Sequence, residues 1–166
     1  MTIARLLRHL FATHWMTRRC FDSETQKRIE VSITEVEALH GGEIRFAIET
    51  ALDLPELFAG LTSRHRALQV FGHLGVWDTA ANNGVLIYVL RADRSVEIVA
   101  DRGIGSRVLQ SEWAAVCRAM EDHYRAGRFA EGSDVGVRGV GRLLAKHFPN
   151  DQGGRANELP NQPVLL

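Results

Sequence analysis

Four side chains in the middle of the chain carry the oxygen chemistry that a hard divalent cation requires: Asp78, Asn82, Asn83 and Asp101. Calcium and magnesium take carboxylates, amide oxygens and backbone carbonyls as ligands, and a turn rich in Asp, Asn and Gly offers all three. The same residues also have plain structural uses: Asp78 can cap a turn, the Asn pair can supply turn geometry, and Asp101 can close a strand. They make a candidate metal site only if the fold returns position 101 to the neighbourhood of positions 82–84.

The intervening sequence does this. Residues 85–90 are apolar on both faces, as in a strand at the middle of a covered sheet. Residues 91–95 are short and polar, and 96–101 alternate, so the two strands form an antiparallel hairpin with Asp101 beside Val85 or Leu86. Other chemistry is poorly served. The seven histidines occur singly, and His65 and His73 stand two helical turns apart, which argues against zinc. Gly103 and Gly105 lack the third glycine of a dinucleotide fingerprint and read as a tight turn, while Gly136, Gly139 and Gly141 read as packing positions where a helix approaches a sheet closely. Cys20 and Cys117 read as ordinary thiols, and Trp77 as a core anchor or the wall of a pocket.

The remaining elements frame that hairpin. Ile3, Leu6, Leu7, Leu10, Phe11 and Trp15 recur at helical spacing, with Arg5, Arg8 and His9 off that stripe. This predicts one amphipathic helix over 3–15, which either packs on its own domain or lies on an anionic membrane surface. A helix capped by Asp22 or Ser23 buries Ile29, Ile33, Val36 and Leu39, and 43–50 alternate as a half-exposed strand. A short helix after Asp53 and a longer one over 62–75, with Leu68, Phe71 and Leu74 on its apolar side, cross between the first two strands. Helices over 111–127 and 131–147 follow, and from Asn150 onward the chain is polar, lacks periodicity and reads as a mobile tail. The fold expected is α/β, a three-layer α/β/α sandwich with a small mixed, Rossmann-like sheet. Its divisions are an N-terminal amphipathic helix at 1–21, one domain at 22–148, and a disordered tail at 149–166.

Composition narrows the partners. Lys plus Arg and Asp plus Glu both number 20, so no overall basic field exists to hold nucleic acid. No apolar run reaches the length of a membrane span, and Arg8 and His9 interrupt the first apolar stretch, so no export signal is read and a cytoplasmic protein is expected.

The segment from Asn82 through Val89, then 96–105 ending in Gly103-Ile104-Gly105, resembles the core signature of TPM domains. Tyr124, Gly127, Phe129 and Gly132 are similar to that family's aromatic and glycine passage between its last helices, and the resemblance spans nearly all of 22–148. The chain looks most like the family's short, stand-alone bacterial form. The founding members are a thylakoid phosphatase, a photosystem II repair protein and a receptor-associated protein, so the fold serves several roles. The resemblance implies calcium or magnesium at Asp78, Asn82, Asn83 and Asp101, and no organic cofactor. It leaves two functions open. One is a regulatory or binding domain that acts through a protein partner near the inner membrane, with residues 3–15 providing peripheral membrane contact. The other is a metal-dependent phosphomonoesterase, with Asp78 or Asp101 as ligand or base and Arg102 facing the phosphate.

Overall fold

A computed structural model describes residues 2–149 and 157–166. Two short helices open the chain, α1 (Ile3–Phe11) and α2 (His14–Cys20), each capped by a threonine hydroxyl, Thr2 accepting from the Arg5 amide and Thr13 from the Met16 amide. The single helix expected over 3–15 is therefore divided: Ala12 and Thr13 are extended, and the Thr13 hydroxyl offers the backbone a better bond as a cap than within a helix. Next come α3 (Ser23–Glu37), capped by Asp22, β1 (Glu43–Glu49), α4 (Leu54–Phe58) and α5 (Ser63–His73), capped by Thr62. β2 (Gly84–Leu90), β3 (Ser95–Ala100), the one-turn α6 (Arg102–Gly105), α7 (Gln110–Arg125), α8 (Phe129–His147) and β4 (Val164–Leu165) complete the order.

The sheet runs β3-β2-β1-β4, with β1 parallel to β2 and β4, and β2 antiparallel to β3. It is mixed, as the sequence implies, because α4 and α5 make the crossover between two parallel strands while a tight turn joins β2 to β3. Alternation splits the strands between two apolar layers. Ile44, Phe46, Ile48, Val85 and Ile87 face α3, α7 and α8, whereas Ala47, Leu86, Tyr88 and Leu90 face Ala67 and Val70 of α5. Of the apolar side expected on α5, Phe71 and Leu74 pack against this second layer, but Leu68 is exposed and smaller Ala67 takes the inner position. Leu39, expected in the α3 stripe, lies beyond the end of that helix and is exposed.

The glycines of α8 admit neighbouring helices rather than the sheet. A Cβ at Gly136 would stand 2.2 Å from the Met120 sulfur of α7, and one at Gly141 would stand 2.7 Å from Val36 of α3. Tyr124 and Phe129 stack on one another, and both meet the fully buried Phe21 edge-on. A Cβ at Gly132 would strike Tyr124, which accounts for a glycine three residues after Phe129.

Residues 157–166 depart from the expected mobile tail, of which 150–156 lie outside the described residues. β4 pairs with β1, placing Val164 beside Ala47 and Leu165 beside Ile48. Leu159 is buried in the second layer, the Arg45 guanidinium donates to the carbonyls of Pro160 and Gln162, and Glu158 accepts from the Ala80 amide. This strap is held by backbone pairing, one buried leucine and scattered polar contacts, none of which leaves a periodic trace.

Candidate functional site

The amino ends of the parallel strands, where Glu43 is paired with Gly84, meet the carboxyl end of β3. Hairpin register puts Ala100 opposite Val85, so Asp101 stands opposite Gly84 and its amide donates to the Gly84 carbonyl at 2.9 Å. Gly84 itself has no room for a side chain, since a Cβ would lie 2.0 Å from the Val76 carbonyl oxygen. Asn82, Asn83 and Asp101 therefore gather around one strand end. The Gly103 amide donates to the Asn82 carbonyl, and Asn82 adopts a left-handed φ of 50° to make that approach.

Two buried oxygens at this end are left without a partner. Asp101 is 6% exposed; its Oδ1 accepts from the Arg102 amide at 2.6 Å and caps α6, while Oδ2 has no hydrogen bond among the described residues. Asn83 is 3% exposed; its Nδ2 donates to the Gly41 carbonyl and its amide is bonded to Thr79 Oγ1, while Oδ1 has no hydrogen bond among the described residues. A buried acceptor without a donor costs about 1–3 kcal/mol, and more when charged, so each of these oxygens is a candidate to receive an outside donor or ion.

Asp78 sits on the exposed turn after α5, its amide bonded to the Gly75 carbonyl. Among the described residues no cluster of three or more His, Cys, Asp or Glu side chains could hold a metal ion. A cation here would depend on Asp101, the Asn83 amide oxygen and backbone carbonyls, a donor set suited to hard ions. Trp77 is 54% exposed and is not a core anchor; its indole donates to the Gly72 carbonyl at 3.3 Å. Arg102 is exposed on α6.

Sequence reasoning missed the acidic groups that other elements bring to this end. Glu37, at the last turn of α3, accepts from the Ile44 amide at 2.7 Å. Burial, with the Glu43 carboxylate adding to it, pushes the Glu37 carboxyl up to about 7. Glu43 accepts from the Leu159 amide at 3.3 Å. His40 is buried, accepts from the Gly42 amide at Nδ1 and lacks a partner at Nε2 among the described residues, and burial lowers it to about 4. Glutamates 37 and 43 are separated in sequence by the Gly41-Gly42 turn, and only their placement on either side of it brings them near one another.

Groups elsewhere are bound into structure. Burial, then the charges of Glu97 and Glu121, push the Cys117 thiol up to about 12, which leaves it a poor nucleophile. Glu49 is buried on the α5 side, where Arg66 chelates it at 2.7–3.1 Å and the Tyr88 hydroxyl donates to it. Among the described residues no helix is long and apolar enough to cross a membrane.

The family model of the TPM domain matches residues 17–143, which contain α3 through most of α8 and both strands of the hairpin. The chain belongs to the TPM domain family. The TPM assignment is supported by a solved relative, the BA42 protein from the psychrophilic bacterium Bizionia argentinensis. That protein is 32% identical with a TM-score of 0.73, over 87% of this chain and 94% of the other. Two more distant structures share the fold. The N-terminal domain of a protein from P. gingivalis is 18% identical with a TM-score of 0.60, over 76% of this chain and 80% of its own. The N-terminal domain of the cg2496 protein from Corynebacterium glutamicum is 13% identical with a TM-score of 0.54, over 86% and 79%. No curated protein matches the chain. All of α1, the start of α2 and all of β4 lie outside the TPM-matched residues.

Proposed function

We propose that this TPM domain is a binding module that takes a divalent cation, calcium or magnesium, at the Asn83–Asp101 end of its sheet and acts through a protein partner. The reading rests on one observation: Asp101 Oδ2 and Asn83 Oδ1 are buried acceptors without donors at the same strand end. A hard cation satisfies such oxygens. Asp101 supplies the charge, Asn83 a neutral oxygen, and Gly84 and Gly103 let the surrounding backbone close in. Trp77, exposed on the loop that also carries Thr79 and Asn83, is the aromatic surface that ordering of the loop presents to the partner.

The test is an amide NMR titration with calcium, repeated with magnesium, on the native chain and on Asp101→Asn, which keeps the α6 cap and removes the charge. Saturable shifts at 79–84 and 101–104 that weaken at least tenfold in the variant support the reading. A flat titration of the native chain ends it. Metal-dependent turnover of p-nitrophenyl phosphate, lost in the same variant, replaces the module with the phosphomonoesterase.

A further inference from the structure

The opposite end of the sheet, at the carboxyl ends of β1 and β2, holds a cleft of about 430 Å³ between α1–α2, the β2–β3 turn and the α7–α8 corner. That is the size of a ligand pocket, at the end of the parallel strands where open α/β sheets ordinarily bind ligands. Arg8, Arg91, Arg94 and Arg125 line it against a single acidic residue, Glu121. Glu121 is already engaged, accepting from the Val96 amide at 3.0 Å and lying 3.8 Å from Arg125. Arg91 is the key group. It is half-buried, has no carboxylate partner among the described residues, leaves Nε unbonded, and reaches only the Cys20 sulfur at 3.6 Å. An unpaired guanidinium beside apolar walls calls for an anion.

The rim of this cleft is apolar. α1 is held to the domain by its polar side: Arg5 makes a forked ion pair with Asp93 at 2.7–3.1 Å, His9 lies 3.0 Å from the same carboxylate, and His9 Nδ1 accepts from the Leu52 amide. That docking turns the stripe outward except at Leu6, which packs against the second apolar layer. Ile3, Leu7, Leu10, Phe11, Trp15 and Met16 are all exposed, Phe11 by 70% and Trp15 by 67%. Phe11 and Met16 also line the cleft, so the basic pocket and the apolar ridge are one continuous surface. Arg19 sits 5.5 Å over the Trp15 ring beside exposed Arg18, which puts cations at the edge of the ridge.

We propose that this surface docks on an anionic phospholipid bilayer, with a lipid phosphate entering the cleft at Arg91 and Arg94 and the ridge from Ile3 to Met16 sinking into the acyl boundary. Charge complementarity selects the occupant. A soluble phosphate satisfies the arginines and leaves the ridge in water, whereas a phospholipid carries the anion and the apolar chains at the same spacing. The site is independent of the cation end, because the two lie at opposite ends of β2.

Vesicle co-sedimentation of the full chain decides it, comparing phosphatidylcholine with phosphatidylcholine containing 30% phosphatidylglycerol, with and without 0.5 M salt. Binding is expected to the anionic vesicles, to fall in high salt, and to weaken about fivefold in Arg94→Gln, an exposed position that leaves the core untouched. Phe11→Ser with Trp15→Ser is expected to weaken it more than roughly tenfold. No binding of the native chain, or equal binding to neutral vesicles, overturns the proposal. So do two other results: inorganic phosphate saturating the amide shifts of 91–94 while vesicles are ignored, or sedimentation velocity showing a dimer that the Phe11 and Trp15 changes dissociate.

Discussion

Replacing Glu37 by Gln should stabilise the protein above neutral pH and expose a hidden dependence on acid. Glu37 is raised from 4.5 to about 7 by burial, so between those values the folded state holds a proton that the unfolded chain has released. Stability therefore falls as pH rises through that window, by an amount approaching about 3 kcal/mol when the shift is converted at 1.36 kcal/mol per unit. His40 works in the other direction. Lowered from 6.5 to about 4, it is neutral in the fold while the unfolded chain binds a proton, so it favours folding above pH 6.5 and loses that contribution as pH falls towards 4. Between about pH 4.5 and 6.5 the two slopes nearly cancel in the native chain.

Gln keeps an acceptor for the Ile44 amide and removes the carboxylate, so the variant retains the geometry without the titration. Urea denaturation followed by tryptophan fluorescence, at half-unit steps from pH 4 to 8.5, reads both curves. The native chain should be flat from 4.5 to 6.5 and then decline. Glu37→Gln should climb from 4 to 6.5, hold level, and exceed the native chain by about 2–3 kcal/mol at pH 8.5, the lower figure allowing for partial solvent screening. Equal or lower stability of the variant at pH 8.5 refutes the assignment of a strained carboxylate at this position.

Leu159→Ala should cost about 3 kcal/mol in the same denaturation assay, because the residue is buried in the second layer; no change would mean that the strap contributes nothing to the fold. Asp93→Ala should free α1, with amide exchange at 3–11 becoming much faster and about 2 kcal/mol of stability lost. Burial alone would raise the Asp93 carboxyl, but hydrogen bonds from Arg5 and His9 outweigh it and hold it below its ordinary value, so this contribution is present above pH 4 and fades as pH falls further. Gly84→Ala should destabilise by about 3 kcal/mol, since its Cβ meets a backbone oxygen that cannot rotate away; a neutral result by calorimetry would contradict the close approach at Val76.

The parts of this fold legible in the sequence are those with a repeating pattern. The doubly apolar run at 85–90 reads as a central strand and the alternation at 96–101 as its antiparallel partner; the structure forms that hairpin with Asp101 opposite Gly84 instead of Val85 or Leu86. That hairpin is what makes Asn82, Asn83 and Asp101 legible as neighbours in the sequence. For Asp78, on an exposed turn, the chemistry is readable and the direction of the side chain is not. The strap, Glu37 and His40 are illegible for a related reason: each is placed by isolated contacts that follow no helix or strand period.

The N-terminal helix is a different kind of difficulty, and it bears most on function. Its stripe from Ile3 to Trp15 correctly reports amphipathicity, but a stripe does not say which side faces the domain. Here Asp93, in the β2–β3 turn, decides the matter by binding Arg5 and His9 and so turning the apolar side out. Burying that side instead would break a forked ion pair and leave the Asp93 carboxylate facing apolar surface, so the domain has a standing reason to keep the ridge exposed. A helix docked by its charges and Leu6, and bare over the rest of its apolar face, is arranged for a partner that supplies the missing hydrocarbon, and the arginines alongside it ask that the same partner be anionic.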